Sequence, residues 1–468
     1  MPEELSPADR SSLAAERGPI NMAVGGLLVF EPEPPLTRAL LRERIAERIH
    51  LIPRLRQRLE VPPLGLANPV WTDDTGFDLD WHVRQASLPR EDGAGSDTEL
   101  GWFVGREFSH RLDRSRPLWE ATLIEGLAGG STAVLMKVHH ALVDGLAALG
   151  MAALVLDPTP EPLEVPPPES EWEPQRYDIR RHVTRLATRP LARAAQPMME
   201  GMLRALDPDP RRAAADTRRA LSDLRRATGV GLELARTRPQ APMTALNRPI
   251  SPNRRFAVVH ADLAAVKRAG KAAGGTVNDA LLAAVTGMLA RYLSDAGDLK
   301  DARVPVALVP VSVRAPTETS EMGNKISTVF VDLPVDEPDP RERIRSIAAQ
   351  TTQLKESAAV RAGALMVGAS GWAPPLVSGM LARAMGSVRA FNLVVSNLPG
   401  PQQPLYLKGA TVSHVYPVVP LNPASQGLSV GILSYNGQVC FGLLADRDLD
   451  PPLGTAAEAL RDALAELG

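Results

Sequence analysis

Lys137-Val138-His139-His140-Ala141-Leu142-Val143-Asp144-Gly145 is the stretch on which the reading of this chain turns. It overlaps the end of a strand-like run, Ser131 to Val138. That run pairs in a predicted hairpin with Trp119 to Leu127 across Ala128-Gly129-Gly130. Neighbouring side chains on a strand point to opposite faces. His139 and His140 are therefore not expected to share a metal ion. One should face a cavity and the other should pack. A histidine with an ordinary pKa of about 6.5 is the natural general base near neutral pH. Asp144 falls where the chain turns into the next helix, and Gly145 permits close backbone approach. A lone histidine is more often a hydrogen-bonded core residue, but the whole cluster favours chemistry.

Working outward, the first third reads as mixed α/β. Ser6-Pro7-Ala8-Asp9 starts a helix, with serine as N-cap and proline at the first helical position. Met22 to Phe30 is a buried strand. Leu36 to Ile52 has helical spacing, with Leu41, Ile45, Ile49 and Ile52 on one face and Pro53 as a stop. Asp157 to Pro174 is proline-dense, which removes backbone donors and predicts an extended connector. From about Arg254 the chain is α/β again. Arg255 to Leu263, Val304 to Val313, Ser327 to Leu333 and Phe391 to Asn397 are strands, and Val277 to Leu293 is an amphipathic helix. Asn436-Gly437 between Leu428–Tyr435 and Gln438–Ala445 signals a type I′ hairpin. The expected organisation is a first α/β domain over 1–165, a Pro/Arg-rich, partly helical crossover linker over 166–248, and a second α/β domain over 249–468.

The 468 residues are 44% hydrophobic and 23% charged, as in an ordinary globular protein. One cysteine, Cys440, rules out an intramolecular disulfide or a cysteine-rich zinc site. The segment Met1-Pro2-Glu3-Glu4 lacks the basic and apolar pattern of a signal peptide. No apolar run reaches bilayer length, so a cytoplasmic location is expected. The net charge of −2 argues against a general nucleic-acid binder, yet it is unevenly spread. Arg176 to Arg238 holds fifteen Arg and seven Asp or Glu, so it carries +8 and the rest of the chain −10. Those arginines either dock the protein on an anionic lipid surface or pair with acids on the two domains. No Walker P-loop, metal-ligand spacing or G-x-S-x-G elbow is present.

The cluster has the form HHxxxDG, which resembles the chloramphenicol acetyltransferase-like, CoA-dependent acyltransferases. Further stretches narrow the match. Leu5-Ser6-Pro7-Ala8-Asp9, Pro19-Ile20-Asn21-Met22 and Gly25-Gly26-Leu27 look like the start of the bacterial wax ester synthase/diacylglycerol acyltransferase family. Arg116-Pro117-Leu118-Trp119-Glu120 resembles its PLW element and Val277-Asn278-Asp279 its ND element. Val309 to Arg314, Gly323-Asn324-Lys325 and Ser396-Asn397-Leu398-Pro399-Gly400-Pro401 follow in the same order. The resemblance runs from residue 5 to about 450, and the linker matches only by position. It implies two chloramphenicol acetyltransferase-like domains with mixed sheets, joined by a long crossover linker, with a tunnel between them.

The resemblance also implies roles. His140 would be the base, taking the hydroxyl proton of a long-chain alcohol or diacylglycerol that attacks the thioester of acyl-CoA. His139 is read as packing rather than as a second base. For Asp144 the resemblance implies an ion pair with a distant arginine, Arg314 being the candidate, while a helix cap is the rival role. Gly145 belongs to the same structural motif. Asp279 stands three residues after Thr276, a capping-box pattern that favours a structural role. Asn278, Ser396 and Asn397 are candidates for the oxyanion or the tunnel wall, and Ser396 as a turn serine bonding the backbone is the alternative. Pro117, Leu118 and Trp119 would shape an apolar channel, with Trp119 as ordinary core the other reading. Acyl-CoA is expected as co-substrate, with no metal and no permanently bound cofactor. The expected partners are acyl-CoA, the lipid acceptor, and peripherally the inner membrane or lipid droplets. A carrier- or CoA-dependent acyltransferase with a polyketide or peptide acceptor, and a non-catalytic lipid-droplet protein, are the alternatives.

Overall fold

The computed structural model describes residues 3–61, 69–89, 95–142, 154–175, 241–299, 304–312, 326–356, 390–421 and 426–468. Within the first part lie β1 (Glu3–Glu4), α1 (Pro7–Ala15), β2 (Ala23–Phe30), α2 (Arg38–Arg48), β3 (Gln57–Glu60), β4 (Val70–Asp73), α3 (Leu79–His82), β5 (Val83–Ser87), α4 (Asp97–Ser109), β6 (Trp119–Glu125) and β7 (Thr132–His139). The second part holds β8 (Arg254–Asp262), α5 (Leu263–Ala272), α6 (Val277–Asp295), β9 (Val306–Ser312), β10 (Ile326–Asp332), α7 (Pro340–Glu356), β11 (Leu393–Pro399), β12 (Tyr406–Leu407), β13 (Ala410–Val418), β14 (Leu428–Tyr435), β15 (Gln438–Asp446) and α8 (Leu453–Ala465).

Local chemistry sets these boundaries. Ser6 caps α1 by accepting the Asp9 N–H, and Pro7 occupies the first turn. The apolar spacing that ran to Ile52 is helical only to Arg48. Two short 3₁₀ turns, Ile49–Leu51 and Pro53–Arg56, complete it, because the residue before a proline is pushed out of helical geometry. At the β14–β15 turn Asn436 and Gly437 both take positive φ, 45° and 79°, as a type I′ hairpin requires.

Two six-stranded mixed sheets organise the chain, in the orders β12-β13-β2-β7-β6-β5 and β10-β9-β11-β14-β15-β8. Strands β5–β6, β9–β11 and β11–β14 are parallel, and the other pairings are antiparallel. The central strands β6 and β7 of the first sheet are buried on both faces, so they read as mostly apolar runs, whereas the edge strand β5 alternates with exposed residues. Val134, Met136 and Val138 pack with Leu41 and Ile45 of α2 and with Trp119. Ala133 and Leu135, on the opposite face, pack with Phe256, Val258, Cys440 and Leu444 of the second sheet. Helix α4 lies between the sheets. A Cβ at Gly101 or Gly105 would collide with backbone of β8, so these two glycines let helix and strand touch.

Two features depart from the local reading. Helix α6 is not amphipathic: from Asp279 to Leu289 every residue is buried, because α7, α8 and the second sheet cover it on all sides. Strands β12 and β13 lie in sequence between β11 and β14 of the second sheet but belong to the first, β13 lying antiparallel to β2. The neighbouring parallel strands β11 and β14 are thus connected through the other sheet. Asp144, Gly145, Arg314, Gly323-Asn324-Lys325 and the arginine-rich stretch 176–238 lie outside the described residues.

Candidate active site

Strand β7 delivers the two histidines to one edge of the seam between the sheets. His139 is its last residue, paired with Ala23, and donates its backbone N–H to Leu118 O at 3.0 Å. His140 begins the turn that follows. Its N–H donates to Met22 O at 2.9 Å, and its side chain is half-buried. The turn is closed by Leu142 N–H on His139 O, 2.9 Å.

The His139 side chain is 1% exposed and committed to structure. Its Nδ1 accepts the Ala141 N–H at 3.0 Å, so the ring proton sits on Nε2, which faces Glu16 Oε2 at 3.6 Å. Glu16 is itself buried. It also accepts from Arg114 Nη2 at 2.7 Å and from the Met22 N–H at 3.1 Å. Burial alone would raise the Glu16 carboxyl. The Arg114 and His139 side chains beside it and the Met22 amide more than offset that and hold it at about 2. The carboxylate thus grips both strands that carry the His140 turn.

A second buried group lies two residues upstream. Lys137 is 3% exposed, and its Nζ donates to Glu107 O and His110 O at 2.8 and 2.7 Å, at the C-terminal end of α4. Burial lowers its pKa. A cation on the last carbonyls of a helix is favourably placed. Asn21 donates to Phe108 O and His110 O from the neighbouring strand end. Glu16, Arg114, Lys137 and Asn21 were not singled out as functional in the sequence. A buried Glu16 beside Pro19-Ile20-Asn21 has no local signature, and only the fold brings it to His139.

The PLW element supports the same strand. Trp119 pairs with Val138, is 1% exposed, and donates Nε1–H to Leu55 O at 2.8 Å. His82 stacks on its indole at 4.5 Å between centroids and donates Nδ1–H to Trp119 O at 2.7 Å. Burial holds the His82 pKa down, to about 4. Pro117 and Leu118 are buried beside it.

On the second half, Asn278 and Asn397 meet. Asn397 Nδ2 donates to Asn278 Oδ1 at 3.1 Å, joining the first turn of α6 to β11. With Oδ1 accepting, the NH₂ is the donor end of the Asn278 amide. Thr276 and Asp279 form the capping box. Asp279, 2% exposed, also accepts from Thr351 Oγ1 at 2.8 Å, which ties α6 to α7. Ser396 is half-buried and alternates with Leu393, Val395 and Asn397. It therefore shares a face with Leu398, which packs on the core of the first sheet. Among the described residues, no cluster of His, Cys, Asp and Glu could hold a metal ion, and no helix is long and apolar enough to cross a membrane.

Comparison with known proteins agrees with this architecture. Residues 5–281 match the wax ester synthase/diacylglycerol acyltransferase catalytic domain, and residues 322–468 match the C-terminal domain of the same family. The Mycobacterium tuberculosis protein named probable diacylglycerol O-acyltransferase tgs1 is 31% identical over 452 residues, spanning 96% of this chain and 91% of its own. Its namesake tgs2 from the same organism is 32% identical over 469 residues, spanning 99% and 98%. The solved wax ester synthase/diacylglycerol acyltransferase of Marinobacter aquaeolei VT8 superposes with a TM-score of 0.68 at 29% identity, over 99% of this chain and 98% of that one. The starter condensation domain of rhizomide synthetase shares the fold, with a TM-score of 0.58 at 14% identity over 100% and 94%. With both of its domains matched along most of its length, the chain belongs to the wax ester synthase/diacylglycerol acyltransferase family.

Proposed function

We propose that the protein transfers a fatty acyl group from acyl-CoA to the hydroxyl of a diacylglycerol or a long-chain alcohol, giving triacylglycerol or a wax ester. His140 takes the hydroxyl proton as the oxygen attacks the thioester carbonyl. The tetrahedral intermediate collapses, the C–S bond breaks, and the proton passes from His140 to the departing CoA thiolate. General-base assistance is worth about 10²–10⁴ in rate. The Asn278 amide, oriented by Asn397, and Ser396 are the proposed donors to the oxyanion. Asp144 would order the His140 loop.

The observation that carries this reading is the asymmetry of the two histidines in a chain of this family. His139 is fully buried, with Nδ1 accepting the Ala141 amide and Nε2 lying 3.6 Å from Glu16, while His140 sits half-buried on a turn pinned at both ends. Direct transfer is supported by Cys440, the one cysteine. It is buried in β15, and burial pushes its thiol up to about 11, so it is no acyl-accepting nucleophile. The acceptor is a lipid, and the basic stretch 176–238 is proposed as the part that docks on an anionic surface, which high salt would weaken.

The test is thiol release from palmitoyl-CoA with dioleoylglycerol or hexadecanol present. Acceptor-dependent release, with the ester recovered, is expected. Release that is the same with and without either acceptor would overturn the reading. Competition of the two acceptors at equal concentration then assigns the preferred one.

A further inference from the structure

The chain that leaves the site on each half meets the other at Asp157. Downstream of His140, Asp157 is fully buried and its carboxylate binds the guanidiniums of Arg44 and Arg48 on α2 and the Leu163 N–H at 3.3 Å. The same arginines reach the Leu156 and Leu163 carbonyls. Its backbone forms a two-way bridge with Tyr406 of β12: Asp157 N–H on Tyr406 O at 2.7 Å, and Tyr406 N–H on Asp157 O at 2.9 Å. Tyr406 in turn follows Ser396 and Asn397 along the chain from β11. Next to it, Lys408 sits in a turn with φ of 49° and reaches back to Glu43 and Glu47 of α2 at 2.9 and 2.5 Å. Glu47 also pairs with Arg44 at 3.1 Å. One ionic network therefore runs Lys408–Glu47–Arg44–Asp157–Arg48 across three chain segments. From inside, the Tyr435 hydroxyl accepts from the Leu405 N–H and donates to Val412 O, holding the same hairpin to β14.

We propose that Asp157 and Lys408 are positioning residues: they clamp the β12–β13 hairpin to α2 and so fix the spacing between His140 on one half and Ser396, Asn397 and Asn278 on the other. The topology gives the reason. The hairpin is the connection between β11 and β14 and pairs with β2, so its seating on the first half sets where β11 stands relative to β7. The outer link, Lys408 with Glu43 and Glu47, involves half-exposed or exposed glutamates and contributes little to stability as such. Alignment is more demanding: a displacement of about 1 Å between reacting groups costs about a hundredfold in rate.

The inference rests on the acyltransferase reading above. The experiment uses the full-length protein with palmitoyl-CoA and dioleoylglycerol or hexadecanol. It compares Lys408→Met, Lys408→Arg and Asp157→Asn, and follows amide exchange at Tyr406 and Val412. Lys408→Met removes the outer link without stranding a buried charge. It is expected to lower kcat about tenfold while KM for palmitoyl-CoA moves less than about twofold, the signature of lost transition-state alignment. Exchange at Tyr406 should quicken, and Lys408→Arg should restore both. Asp157→Asn, where it folds, should lower kcat further. A Lys408→Met protein with wild-type kcat, or one whose loss only follows its folded fraction, overturns the clamp. Wild-type protein inactive with both acceptors overturns the functional reading instead.

Discussion

Glu16 Oε2 stands 3.6 Å from His139 Nε2, and both side chains are 1% exposed. A residue at the end of the first helix thus stands against the strand that leads into the His140 turn; Arg114 meets the same oxygen at 2.7 Å, and Oε1 accepts the Met22 N–H at 3.1 Å. The Glu16 carboxyl is held at about 2, against an ordinary value of 4.5. A depressed carboxyl gives stability that is present above the unfolded value and is lost as pH falls through the folded one. The contribution is on the order of 3 kcal/mol. Glu16→Gln should remove it. Denaturant midpoints measured from pH 6 to pH 2 should fall for the native protein between about 4.5 and 2, and the variant should lack that part of the fall. Equal pH dependence in both proteins would contradict the role.

The two histidines should separate cleanly. His140→Ala is expected to lose all acceptor-dependent thiol release and keep the native circular dichroism spectrum and melting temperature. His139→Ala leaves the Ala141 N–H without its acceptor and opens a cavity beside Glu16, and should destabilise by about 1–3 kcal/mol. If His139→Ala is the folded but dead protein and His140→Ala remains active, the base has been assigned to the wrong ring.

Much of this fold is legible in the sequence where its determinants are local. Asn436-Gly437 specifies its turn by positive φ, Ser6-Pro7 specifies a helix start, and Thr276 with Asp279 specifies another. What could not be read is pairing between distant segments. Nothing in Ala410–Val418 says that it joins β2 rather than the strands around it. Val277 to Leu293 is a different case: Ala280 to Leu289 has no charged residue on any face, which marks a helix covered all round, and the amphipathic reading passed over it. The site follows the same rule. The HHxxxDG, PLW and ND stretches are contiguous and visible, whereas Glu16 and Lys137 become meaningful only once β2, α4 and β7 are side by side.

Gly442 gives a stability test of how β13 packs against the second sheet. A Cβ there would collide with the Pro417 carbonyl oxygen, a backbone atom of β13, and with the Phe256 ring. Gly442→Ala therefore has to push the hairpin strand off the second sheet. A loss of about 2–4 kcal/mol is expected from overpacking at a backbone contact. Gly437→Ala is strained instead by its φ of 79° and should cost about 1 kcal/mol. Urea midpoints for the two variants should fall in that order.

The lone cysteine makes a chemical test available. Cys440 is fully buried and its thiol is pushed up to about 11, so little thiolate exists near neutral pH. Iodoacetamide at pH 7.5 should leave both the thiol and the activity of the folded protein unchanged, and should label Cys440 only after denaturation. Rapid inactivation with one equivalent incorporated would reopen an acyl-enzyme route.

Gly26 offers the sharpest handle on chain length. It lies on β2 opposite Met136, and among the described residues a Cβ built there meets no atom within 4 Å. By strand alternation it shares a face with Val24 and Leu28, next to the apolar cluster of Met136 and Val138. At about 3.3 Å per residue, this space begins roughly 10 Å from Ala23, the partner of His139. That is within reach of a fatty chain whose head is at the neighbouring turn. Gly26→Val should fill the space without clashing, so the melting temperature should hardly move. Its kcat/KM for palmitoyl-CoA should fall several-fold more than for octanoyl-CoA, since added bulk excludes a long chain before a short one. An equal loss for both lengths would place the fatty chain elsewhere.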